Sequence, residues 1–135
     1  MSQTIALDPK SKAHSISAWT LQVLLGLVFV VAGGAKLSGA PMMIEIFDLI
    51  GIGQWFRIVT GLVEVAGAVA LLIPGFTMVG AVWLGITMIF AVLTHAFILP
   101  MPLTSGAPAA SLAVLAFVLA YLRRDQLSAL KAKPR

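Results

Sequence analysis

Long apolar runs, separated by short breaks of proline, glycine and polar residues, constrain this chain more than any other feature. The runs lie at about residues 19–35, 57–73, 76–99 and 108–121. A helix of about 20 apolar residues crosses the ~30 Å hydrocarbon core of a bilayer, and the first run, of roughly 17 residues, is still within the range. The fourth run is shorter and only moderately apolar. Pro74-Gly75 predicts a tight hairpin between the second and third runs. The pattern predicts an all-α integral membrane protein, folded as an antiparallel four-helix bundle.

The composition excludes an ordinary soluble domain. Only 10% of the 135 residues are charged and 60% are hydrophobic, whereas soluble domains carry about 25% charged residues. These charges are too few to cover a surface exposed to water, so the apolar residues must be buried by lipid and by helix contacts. We therefore expect the lipid bilayer to be one partner of the chain, and another membrane protein or a second copy of the chain to be a further one.

The net charge of +4 comes mainly from basic residues near the two ends of the sequence. They form no patch interleaved with aromatic residues, so nucleic acid is not an expected partner. Basic residues flank the cytoplasmic ends of spans, which predicts a multi-pass membrane protein with both termini in the cytoplasm. The predicted organisation is a mobile cytoplasmic tail (1–17), the four-helix domain (18–122) and a basic cytoplasmic tail (123–135).

The first apolar run has an alternative interpretation as a secretory signal peptide. Lys10 and Lys12 precede it, and the small residues Gly33-Gly34-Ala35 are similar to a cleavage site. The run is longer than the usual signal-peptide core of about 7 to 15 residues, which favours a retained span. Cleavage would leave three spans instead of four.

The segment between the first two spans combines apolar residues with a pair of acids. Pro41 can begin a helix there, and Glu45 and Asp48 then share one helix face. A short helix of this kind, with Trp55 at its border, is typical of a segment that lies in the membrane interface. The alternative is an ordinary loop outside the cytoplasm.

Three ionisable residues lie at membrane depth, where each charge costs about 2.5 to 3.5 kcal/mol to insert. They are Lys36, Glu64 and His95, and the alternating directions of the spans place all three in the outer half of the bundle. Glu64 lies about seven residues, or ~10 Å, below the interfacial Arg57. It should therefore be neutral, paired with Lys36 or exposed to a polar cavity.

Simpler interpretations exist for two of these residues. Lys36 can extend its amine to the outer interface, because it lies at the end of its span. His95 can hydrogen-bond to a neighbouring helix or to the backbone.

Small and polar residues line one face of the first two spans. The residues that define this face are Gln22, Gly33, Gly61 and Gly67. Small residues let transmembrane helices approach closely, and polar side chains hydrogen-bond across the interface. We expect this face to point toward the other helices.

Three stretches carry a family resemblance: LVFVVAGGAKL at 27–37, GIGQWFRIVTGLVEVAGAVALLIP at 51–74 and ITMIFAVLTHAFI at 86–98. They resemble the DoxX-like family of small four-helix bacterial membrane proteins, over about residues 19–122. The most specific elements are the Gly-Ala-Lys-Leu end of the first span and the Gly-x-x-Glu of the second.

The resemblance implies little about function by itself, because most members of the family have no assigned activity. Some members are associated with thiosulfate- or sulfur-dependent electron transfer to quinone, and distant animal relatives are assembly factors or cargo receptors. The chain has no cysteine, which excludes thiol redox chemistry of its own, and neither a metal site nor a resident cofactor is evident.

A membrane subunit or accessory factor, with no enzymatic activity of its own, is therefore the favoured hypothesis. A quinone-linked redox subunit is the alternative, with quinone as the candidate cofactor. A proton-coupled carrier of small solutes ranks last, because the chain is small and has no obvious inverted repeat.

Overall fold

A computed structural model describes residues 9–126, and within that range the chain is helical with no strand. Its elements are α1 (Pro9–Ser38), α2 (Pro41–Ile50), α3 (Gln54–Leu72), α4 (Thr77–Phe97), a 3-10 turn (Leu103–Gly106) and α5 (Ala107–Leu122). Four helical segments in this range are long and apolar enough to cross a membrane: α1, α3, α4, and the 3-10 turn together with α5. The predicted all-α membrane fold is therefore confirmed.

The four long helices pack as an antiparallel bundle. α1 lies against α3, α3 against α4 and α4 against α5, and α1 also touches α5. The start of α1 meets the end of α5, where His14 Nε2 donates a hydrogen bond of 2.8 Å to the Leu122 carbonyl. We call this the Arg123 end of the bundle. The opposite end, which carries α2, is called the Lys36 end.

Alanines pack together with leucine and phenylalanine side chains inside the bundle, and large apolar residues also cover the outside. The buried hydrophobic core contains Leu25, Phe29, Ala68, Leu71, Ala81, Leu84, Ala113, Ala116 and Leu119. Val31, Phe90 and Phe97 point outward and are 72%, 65% and 82% exposed. A soluble protein rarely exposes so large an apolar surface, whereas a membrane protein turns it toward lipid.

α1 begins earlier than the sequence predicts. The predicted mobile tail ended at residue 17, but the helix already starts at Pro9. Residues 12–17 are all exposed, so they lack the apolar periodicity that reveals a packed helix. Forming the first turn of a helix is the unfavourable step, and the membrane span that follows these residues already provides that turn. Extending the helix back to Pro9 then adds one backbone hydrogen bond for each further residue. Residues 1–8 and 127–135 of the two predicted tails lie outside the described residues.

The predicted short helix between the first two spans is present as α2. Pro41 occupies its first turn, and Gly51 ends it in the left-handed conformation with a φ of 86°. Gln54 Nε2 donates a 2.8 Å hydrogen bond to Asp48 Oδ1, and the buried Phe47 faces α3. α2 is therefore fixed to the beginning of α3, and its placement in the membrane interface stays a prediction.

Candidate functional site

Lys36, on the last turn of α1, forms an ion pair with Glu64 in the middle of α3. The Lys36 Nζ lies 3.0 Å from Oε1 and 3.1 Å from Oε2 of the carboxylate. The side chains are 15% exposed for Lys36 and only 3% exposed for Glu64. Of the three expectations for Glu64, the structure shows the pair with Lys36. An uncompensated charge in this position would be strongly destabilising.

Two glycines let α1 and α3 approach closely beside this ion pair. A Cβ atom on Gly33 would lie 2.7 Å from Val65 Cγ2 and 2.9 Å from the Gly61 carbonyl oxygen. A Cβ atom on Gly61 would lie 3.0 Å from the Gly33 carbonyl oxygen. Both glycines are buried, as the small-residue face predicts. Their missing side chains bring the two backbones close enough for Lys36 to reach the carboxylate.

A further glycine of this face, Gly67, forms the next close contact along α3. A Cβ atom there would lie 2.5 Å from Leu84 Cδ2 on α4. Across the same contact, a Cβ atom on Gly80 would lie 2.9 Å from the Gly67 carbonyl oxygen. α3 therefore uses one glycine against α1 and another against α4.

Arg57 joins α3 to α1 at the Lys36 end. Its guanidinium donates one hydrogen bond to the Lys36 carbonyl oxygen and another, from Nε at 2.7 Å, to Gln54 Oε1. The last carbonyls of a helix have no partner within the helix, so an arginine from a neighbouring helix can satisfy one of them. The sequence indicated only an interfacial position for Arg57. Its link to α1 was missed because it spans 21 residues of sequence.

His95 also lies near the Lys36 end, but it contacts the 3-10 turn. Its Nδ1 is 3.0 Å from Ser105 Oγ, and a Cβ atom on Gly106 would lie 3.3 Å from the His95 Cβ. Among the hydrogen bonds of the described residues, His95 is bonded to Ser105 and not to Lys36 or Glu64. The structure thus brings two of the three predicted residues together and gives the third a separate partner.

Removing the Ser105 hydroxyl should weaken the contact between α4 and the 3-10 turn. We expect Ser105→Ala to lower the free energy of unfolding by about 1 kcal/mol, because it deletes one hydrogen bond to a half-buried histidine. Thr104→Ala, an exposed position in the same turn, is the matched control and should change stability little. SDS titration in mixed micelles measures both, and equal effects of the two variants would contradict the prediction.

Gln22 belongs to the opposite end of the bundle. It is 2% exposed, and its Oε1 accepts a hydrogen bond of 3.2 Å from Arg123, the residue that follows the end of α5. The Arg123 guanidinium carbon lies 5.6 Å from the centre of the Trp19 ring. Gln22 therefore links α1 to α5, whereas Gly33 on the same face of α1 serves the contact with α3.

The polar residues at membrane depth can hold helices together and exchange protons. In the described range, no group of three or more His, Asp and Glu residues lies close enough together to hold a metal ion. A buried ion pair favours one alignment of two helices, because a shift would separate the charges. A histidine is the side chain that most readily exchanges protons near neutral pH.

Comparisons with known proteins agree with the membrane fold. A family model described as the DoxX-like family matches residues 20–121. A Bacillus subtilis (strain 168) protein named "Putative oxidoreductase CatD" is 29% identical over 84 residues, which cover 62% of this chain. The match spans 63% of the length of that relative. No solved structure matches the chain.

Proposed function

This chain belongs to the DoxX-like family of membrane proteins, and from that premise we propose that it is a membrane subunit or accessory factor without enzymatic activity. Its bundle would dock against another membrane protein or a second copy of itself. The observation that carries the proposal is the Lys36–Glu64 ion pair, whose members lie on different helices and bind each other inside the bundle. In this proposal the pair fixes the alignment of α1 against α3.

Helix alignment matters for docking because hydrophobicity alone does not drive association within lipid. Transmembrane helices associate through close packing and polar contacts, so the shape of the exposed face decides which partner fits. A shift of α1 along α3 would move every lipid-facing side chain of α1 relative to the rest of the bundle. The ion pair would therefore preserve the shape that the partner recognises.

A deletion strain that carries tagged variants tests this role. Membranes with wild-type chain or Glu64→Gln are solubilised, and the membrane proteins that copurify are quantified. We expect Glu64→Gln to accumulate in the membrane but to lose a partner that the wild type retains. Glu45→Gln makes the same change on the exposed face of α2 and should keep that partner. Unchanged folding and unchanged partners in Glu64→Gln would show that the alignment role is wrong.

We also propose that the protein lies in the bacterial inner membrane with the Arg123 end in the cytoplasm, following the basic residues at that end. Because the chain has no cysteine, a single introduced cysteine reports the side on which it lies. Thr104→Cys, at the Lys36 end, should react with an impermeant maleimide in intact spheroplasts. Asp125→Cys, at the Arg123 end, should react only after permeabilisation. Both positions are exposed, and the reverse labelling pattern would invert the topology.

A quinone-linked redox subunit is the second candidate function. The Bacillus subtilis relative favours it, because its name refers to redox chemistry. Reduction of a quinone to a quinol takes up protons as well as electrons. His95 would handle the protons at its ring, held by Ser105, and a partner protein would supply the electrons.

Quinone-linked respiration separates the two candidates in the same membranes. Loss of electron transfer in His95→Gln with all partners retained would support the redox subunit, and Thr104→Ala, at an exposed position of the neighbouring turn, is the control. Loss of a partner in Glu64→Gln with respiration intact would support the accessory factor. A purified chain that neither binds a short-chain ubiquinone analogue nor alters quinone reduction in its membranes would exclude the redox role.

A further inference from the structure

A basic cleft lies at the Arg123 end of the bundle, between the N-terminal part of α1 and the end of α5. Its volume is about 530 Å³, and its lining residues are His14, Ser15, Leu122, Arg123, Arg124 and Asp125. Two arginines and one aspartate are thus among the residues that line the cleft. The hydrogen bond from His14 to the Leu122 carbonyl holds its two walls together. The cleft is therefore a preformed recess with an excess of positive charge.

Arg123 is held in this cleft by neutral groups. It donates to Gln22 and lies near the Trp19 ring, and its Nε is buried without a hydrogen-bond partner among the described residues. Within the described range, the ion pair present is that of Lys36 and Glu64. No described carboxylate therefore forms an ion pair with Arg123, and its charge can act on an anion in the cleft.

Arg124 connects the basic cleft to an apolar groove. Its guanidinium carbon lies 4.1 Å from the centre of the Tyr121 ring, and it donates a 2.9 Å hydrogen bond to the Tyr121 carbonyl. Tyr121 is also one end of a groove between α4 and α5, of about 580 Å³. The other residues that line this groove are Ile89, Ala113, Val114, Phe117 and Val118. A cationic site and an apolar groove thus meet at the same tyrosine.

We propose that this site binds one acidic phospholipid, with its phosphate in the basic cleft and one acyl chain in the α4–α5 groove. Arginine presents several N–H donors that match phosphate oxygens. From Ala113 to Tyr121 the groove follows about 12 Å of helix, which is most of one ~15 Å leaflet. The arginines follow the last residue of a membrane span, at the depth where headgroups lie.

Asp125 makes the choice of headgroup more specific. Asp125 lines the same cleft, and its negative charge disfavours a second negative charge on the ligand. A phosphodiester with a single charge, such as that of phosphatidylglycerol, therefore fits better than a phosphate monoester. The expected ligand is phosphatidylglycerol, and inorganic phosphate should bind only weakly.

Native mass spectrometry of the full chain in an uncharged detergent tests the headgroup site. The chain is titrated with phosphatidylglycerol and with phosphatidylcholine of the same acyl chains, at about 0.15 M salt to screen non-specific attraction. We expect phosphatidylglycerol to bind about tenfold more tightly than phosphatidylcholine. Arg124→Gln should weaken phosphatidylglycerol binding by about the same factor, because it removes one charge-assisted hydrogen bond. Lys12→Gln removes an exposed charge outside the lining of the cleft and should bind as the wild type does.

The groove is tested independently by filling it. Val114 is 62% exposed and Val31 on α1 is 72% exposed, so tryptophan at either position leaves the core intact. Val114→Trp should weaken phosphatidylglycerol binding, whereas Val31→Trp should not. Equal binding of the two lipids, or equal losses in Arg124→Gln and Lys12→Gln, would overturn the site. Full competition by inorganic phosphate together with normal binding by Val114→Trp would overturn the lipid as the ligand.

Discussion

Replacing Lys36 with methionine should lower the free energy of unfolding by about 3 to 5 kcal/mol, the range measured when one partner of a buried ion pair is removed. The substitution leaves the Glu64 carboxylate, which is 3% exposed, without its cationic partner. Among the described residues, the hydrogen bonds of this carboxylate all come from Lys36. SDS titration of the chain in mixed micelles, followed by circular dichroism, measures the loss.

The double variant Lys36→Met with Glu64→Leu separates the ion pair from simple packing. It removes both charges, so it should recover most of the stability that Lys36→Met loses, as apolar replacements of buried ion pairs do. Lys12→Met, at an exposed position of the same helix, is the control for loss of a lysine. A Lys36→Met variant as stable as Lys12→Met would show that the ion pair contributes nothing to the fold.

Glu64→Gln should be milder than Lys36→Met. The glutamine oxygen can still accept a hydrogen bond from Lys36, and the lysine lies at a helix end from which it can extend toward the interface. This difference in severity is useful for the proposed docking role. A Glu64→Gln chain that stays folded can reveal the loss of a partner, whereas an unfolded chain cannot.

The sequence predicts the helices well because proline and glycine mark their ends. The second span was expected at about 57–73 and is observed as Gln54–Leu72. The hairpin after it turns at Gly75, which has a φ of +87° that other residues rarely adopt. The inward faces were also predictable, because a helix repeats every 3.6 residues and the small and polar residues followed that period.

The partners of individual side chains were harder to predict. Helical periodicity tells which face of a span points inward, but it does not tell which of the other helices that face will meet. The Gln22–Arg123 contact joins residues 101 positions apart, and nothing in either local sequence specifies it. His95 was expected near Lys36 and Glu64, yet Ser105, only 10 positions further on, provides its hydrogen bond. Short connections between helices favour such local partners.

Gly33→Ala should be the second strongly destabilising change, with a loss of about 1 to 3 kcal/mol in the free energy of unfolding. The added methyl group would lie 2.9 Å from the Gly61 carbonyl oxygen. That oxygen belongs to the backbone of α3, so it cannot rotate away as a side chain could. α1 and α3 must therefore separate, which also lengthens the reach from Lys36 to Glu64.

Gly34→Ala, one residue further along α1, is the control for Gly33→Ala. A Cβ atom on Gly34 would meet nothing within 4 Å, so the helix should gain about 0.5 to 1 kcal/mol from the better helix former. Two chemically identical substitutions at adjacent positions should thus change the free energy of unfolding in opposite directions in the same titration. Equal effects would mean that α1 and α3 do not approach each other through Gly33, and the geometry that places Lys36 on Glu64 would then be wrong.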